Sequence, residues 1–221
     1  MPGTDTASPR ASGPTVPLDM DSARVLADQA AIIQDLQFVM DCCRRLLDEL
    51  DKPEDKREPV VPQALWSAAL VAYARCFGRN KKFGLTTQDI HDLPLHGAVM
   101  EYHQWVIKER ARLTSHPANP FDVATVGAAL SPPGDANRRI EGIVILSTSH
   151  VLVDDIGVRQ LGGLASELAK QIAAKAQPQQ DEVLADARNL GLDTLYATPP
   201  LATGPPGTPD GPPAPQTQKD P

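Results

Sequence analysis

At 221 residues and 41% hydrophobic content the chain can bury one good core, and a formal charge of −7 argues against a general nucleic-acid coat protein. No window reaches the ~18 uninterrupted apolar residues of a membrane helix, and no basic stretch followed by an apolar one marks a secretory signal. A cytoplasmic protein with no membrane span is the expectation.

Thirteen of the 22 prolines fall in residues 1–17 and 197–221, mixtures of Pro, Gly, Thr, Ala and Asp with almost nothing large to bury. Both Pro-rich termini are predicted to be disordered. Residues 18–196 then form a single domain.

Leu18–Lys52 carries the strongest helical pattern. Ile32, Leu36, Val39, Cys43, Leu46 and Leu50 recur at spacings of four and three, which makes one apolar seam. Asp19 or Asp21 is placed to cap its start, and Pro53 closes its end. A helix of this length spans about 45 Å, so its seam needs a neighbouring helix or another subunit. Cys42, Cys43 and Cys76 make an odd count, two of them adjacent, within apolar helical patterns. Buried free thiols are expected, as in a reducing compartment.

A charged, Pro-punctuated connector follows, and Pro62 fits the first turn of a second helix, Gln63–Phe77. That helix is apolar on nearly every side, which predicts the central position in the domain. Gly78 ends it, before a basic turn. Leu85–Leu93 is a short helix capped by Thr86 or Thr87 and ended by Pro94. Leu95–His116 is the next helix, with Val99, Tyr102, Val106, Glu109 and Leu113 on one face and Pro117 as its stop.

Val123–Leu130 and Arg139–Thr148 are β-biased runs on either side of Ser131-Pro132-Pro133-Gly134-Asp135-Ala136-Asn137. They predict an antiparallel hairpin at about residues 123–148, with Ile143-Val144-Ile145-Leu146 as its best-buried part. Two strands alone are marginal, so the hairpin is expected to lean on helices. Asp154 or Asp155 caps a helix running to about Ala176. Pro178 is predicted to interrupt it, leaving Asp181–Leu190 as a last short helix ended by Gly191. The fold class is thus mainly α, a helical bundle with one antiparallel β-hairpin.

Most catalytic signatures are missing: there is no Gly-rich phosphate loop, no Cys-x-x-Cys, no His-Glu-x-x-His and no Gly-x-Ser-x-Gly. Gly162-Gly163 suits close helix packing better than phosphate contact. His91, His96 and His103 cluster with Asp92 and Glu101, but His96 and His103 are seven residues apart. Two turns of helix, about 10.5 Å of rise, keep them off one ion without a bend. No metal and no cofactor is expected. Charge is uneven: residues 19–58 hold eleven acids and six bases, residues 75–112 seven bases and four acids. Ordinary solvated helix faces account for that, as does a local anion site in an acidic protein.

The helix ending at His116 carries Lys108, Arg110 and Arg112 in its last turns. Upstream stand Trp66 and then Tyr73-Ala74-Arg75-Cys76-Phe77-Gly78; downstream, Arg110 leads to His116-Pro117-Ala118-Asn119-Pro120-Phe121. In these segments the chain resembles the HEPN superfamily, small helical domains whose hallmark is Arg followed after four to six residues by His at a helix end. It is also similar to a group of uncharacterised bacterial proteins associated with that superfamily. The resemblance covers residues 65–121, about a quarter of the chain. It implies metal-independent RNA cleavage in a toxin or antiviral setting, with a site shared by two subunits of a homodimer. His116 would be the acid or base, Arg110 the phosphate ligand and Arg112 its support. Two further readings stay open. The four basic groups also suit the negative end of a helix dipole. The chain is then a non-enzymatic module that binds a protein partner through the acidic first helix, or an inactive HEPN-like domain that keeps an anion or nucleotide pocket.

Overall fold

The computed structural model describes residues 13–58, 60–78, 82–113, 122–134, 136–149 and 154–201. Among them the chain is mainly helical, with six α-helices and one two-stranded antiparallel sheet. The order is α1 (Asp21–Leu50), α2 (Val60–Arg75), α3 (Thr87–His91), α4 (Val99–Leu113), β1 (Asp122–Leu130), β2 (Ile140–Ser149), α5 (Asp155–Leu190) and α6 (Leu192–Ala197).

The seam of α1 is buried as its period predicts: Ile32, Leu36, Val39, Cys43 and Leu46 are in the core, and Leu50 is half-buried. Met20, not Asp19 or Asp21, takes the N-cap position, extended at φ −138° and without a side-chain cap bond. Asp19 is instead engaged by Arg24 at 2.5 Å, and Asp21 lies in the first turn, where its charge meets the positive end of the dipole.

The central helix is α1 rather than α2. It packs extensively on α5 and on α2, while α4 packs on α2, and α3 on α4. The uniform apolarity of α2 had suggested the reverse. That helix is rich in alanine, however, and small side chains tolerate partial exposure: Ala64 is exposed, and Ala68 and Ala74 are half-buried. At Gly162 the α1 and α5 backbones come close, since a Cβ there would lie 3.5 Å from the Cβ of Cys43.

Pro178 does not break α5. The helix runs through it to Leu190, and Gly191, at φ +79°, supplies the backbone turn that ends it. The lost hydrogen bond is offset by anchors on both sides. Ile172, Ala176 and Val183 are buried. The Ser22 hydroxyl donates to Asp186 Oδ2 at 2.6 Å, and Gln179 Nε2 donates to the Ser22 carbonyl at 3.4 Å.

The hairpin forms where expected, but its burial does not. Ile143, Val144, Ile145 and Leu146 are all exposed, and the extensive packing of β1 and β2 is on each other alone. Two paired strands satisfy their facing backbone groups without a helix beneath, so strand formation here is local and carries no guarantee of coverage. Within the sequence expected to be tail, Leu201 N–H donates to the Thr15 carbonyl at 2.7 Å. Residues 1–12 and 202–221 lie outside the described residues.

Candidate functional site

Pro94 and Gly97, the latter at φ +93°, delay the start of α4 to Val99, four residues later than the sequence reading. One face of the helix turns inward on Val106, Glu109 and His103. Trp105 leans on Trp66 of α2 with ring centroids 6.2 Å apart, and Tyr102 donates its hydroxyl proton to the Gly157 carbonyl at 2.6 Å. Trp66–Arg75 on α2 and Arg110–Leu113 on α4, the described helical parts of the two segments that carry the HEPN resemblance, therefore sit on helices that pack together.

In the last turn of α4 the two arginines differ. Arg112 Nη1 is bonded to Glu109 Oε1 at 2.8 Å, and Glu109 is itself nearly buried. Arg110 is exposed and makes neither a hydrogen bond nor an ion pair among the described residues. It is the guanidinium free to take an anion, while Arg112 is committed to its own helix. His116, with Asn119 and Phe121, lies outside the described residues, as does His150.

The other histidines take separate places. His91 and His96 are exposed. His103 is buried, its Nδ1 hydrogen-bonded to the Tyr73 hydroxyl at 2.8 Å and its ring 4.6 Å from Phe77. Burial lowers the pKa of His103 and raises that of Tyr73, so both stay neutral near pH 7. Among the described residues no three His, Cys, Asp or Glu side chains converge as a metal cage.

A pocket of about 240 Å³ opens between α4 and α5, lined by Leu95, His96, Val99, Tyr102, Gln160 and Leu164. Nothing in the sequence announces it, because it exists only where two helices cross. It lies at the N-terminal half of α4, and Val99 is roughly 16 Å along the helix axis from Arg110. The acids of α1 are partly used within the domain. Asp35 pairs with Arg75, and Asp28 Oδ2 accepts from the backbone N–H groups of Lys82 and Phe83 at 2.8 and 3.1 Å. No helix among the described residues is long and apolar enough to cross a membrane. No protein-family model, curated protein or solved structure matches the chain.

Proposed function

We propose that this chain is a HEPN-like domain that cleaves RNA without a metal ion, in a toxin or antiviral setting. The observation that carries the reading is Arg110: exposed, unpaired among the described residues, and in the last turn of a helix packed on α2. A guanidinium held free at a helix end suits bidentate contact with a phosphodiester. In this reading Arg110 holds the scissile phosphate and stabilises the charge that develops on it. His116 takes the proton from the ribose 2′-hydroxyl or gives one to the leaving oxygen, and a histidine side chain suits either step because imidazole both accepts and donates a proton near neutral pH. Arg112, tied to Glu109 at 2.8 Å, has a smaller part than the sequence alone assigned it.

The test is cleavage of single-stranded RNA by the full chain in the presence of EDTA. His116→Ala should lower the rate by ~10²–10⁴, the usual contribution of a general acid or base. Arg110→Ala should lower it comparably, the double variant little further, since groups acting as a unit are non-additive. Arg112→Ala should cost less than tenfold. No cleavage of any RNA, with each charge removal costing only ~0.3–1 kcal/mol of stability, would reduce the basic cluster to a helix-end cap and leave the non-enzymatic helical interaction module as the better reading.

A further inference from the structure

Pairing in the hairpin joins Leu130 to Ile140, Ala128 to Ile143 and Val126 to Ile145, with the register shift between Ala129 and Leu130 leaving Glu141 as the extra residue. Directly opposed residues share a face and alternate residues along a strand share it too. Val126, Leu130, Ile140, Ile143 and Ile145 therefore stand on one side of the ribbon. Their exposures are 66%, 68%, 67%, 68% and 69%. The reverse side has fewer large side chains: Gly127, Ala129 and Gly142 occupy its centre, with Val144 at 43% and Leu146 at 62% exposure beyond them.

An aliphatic face of this kind on a two-stranded ribbon is out of balance with water. Isolated hairpins are marginal, and monomers rarely expose a contiguous apolar patch of more than a few hundred Å². We infer that this face is covered by the same face of a second copy of the chain, the two hairpins stacking across a two-fold axis.

Three observations favour a second copy over an unrelated partner. The first is area: five aliphatic side chains about two-thirds exposed present on the order of 600 Å² per copy, near the roughly 800 Å² each partner gives to a standard interface. The second is self-complementarity. The five aliphatic residues themselves carry no charge, and an apolar face stacked on itself is isologous, so it closes at two. The third is charge. The chain as a whole is at −7, and most of its surface would repel a copy of itself. Residues 122–149 hold Arg138 and Arg139 against Asp122, Asp135 and Glu141, only −1 of that total. The hairpin is where two acidic molecules meet with little repulsion. This inference rests on the hairpin alone and stands whether or not the chain cleaves RNA.

Analytical ultracentrifugation of the full chain between 1 and ~100 μM tests it. The wild type should sediment as a dimer. Ile143→Lys with Ile145→Lys should raise the dimer dissociation constant at least ~100-fold, with the helical circular-dichroism signal and its thermal midpoint unchanged, because neither side chain contributes to the helical core. Val144→Lys, on the reverse side, should change the constant less than ~5-fold. A monomeric wild type, an open-ended series of oligomers, a double variant that still dimerises, or a Val144→Lys chain that loses the dimer equally would each overturn the assignment.

Discussion

Trp66 is 3% exposed and holds α2 against Trp105 of α4, so its ring joins the helix of the candidate site to the core. Trp66→Ala should destabilise the protein by ~3–5 kcal/mol in urea unfolding; a loss below ~1 kcal/mol would mean that α2 is peripheral. His103 gives a pH signature. Its pKa in the folded protein is lowered by burial, while the unfolded chain titrates near ~6.5. As pH falls below ~6.5 the unfolded state takes up the proton first, so the contribution of this residue, fully present above that pH, is lost toward the lower folded-state value. Urea unfolding at pH 7.5 and 5.5 should show this decline. His103→Gln, which keeps a hydrogen-bond partner for Tyr73, should flatten it; an unchanged slope would assign the decline to the carboxylates. At this scale part of the site was legible in the sequence. Arg110 at a helix end follows from Pro117 and the periodicity. The capture of Arg112 by Glu109 was also readable, since residues three apart on a helix are neighbours.

Among the elements, α5 is held in a conformation its own sequence disfavours. A proline in a helix interior costs ~3 kcal/mol relative to alanine, and here tertiary anchors on both sides override it. Pro178→Ala should therefore raise stability by ~1–3 kcal/mol, measured by thermal unfolding. A decrease would show that the proline itself helps to seat Val183 and Asp186 on α1. The contrast between α1 and the hairpin explains what the chain did and did not reveal. The α1 seam was legible because a 3.6-residue period is recorded locally and fixes which residues share a side. The strands were legible because β-branched runs flank a Pro-Pro-Gly turn. Whether Ile143 or Ile145 is covered depends on where other elements lie, and no local pattern records that. The path of α5 beyond Pro178 has the same origin, and so does the pocket at Tyr102.

For the whole molecule, Cys42, Cys43 and Cys76 are buried thiols outside any disulfide, spread over α1 and the residue that follows α2. Burial raises the pKa of Cys42 and pushes that of Cys43 up to about 12, so neither offers a thiolate in the native state at pH 8. Reaction with a thiol-specific disulfide reagent should be slow for all three and should accelerate together across the urea transition, as expected for one cooperative unit. One thiol that reacts quickly in native buffer would identify a helix that opens on its own.

The backbone bond from Leu201 to Thr15, 2.7 Å long, closes a loop of 187 residues. An unfolded chain of that length has a radius of gyration of about 46 Å. A donor and an acceptor dye at positions 15 and 201 would transfer energy almost completely in the native molecule and hardly at all once it unfolds. Two fluorophores so placed turn the meeting of the ends into a single-molecule gauge of folding, readable inside a cell and independent of any enzymatic activity.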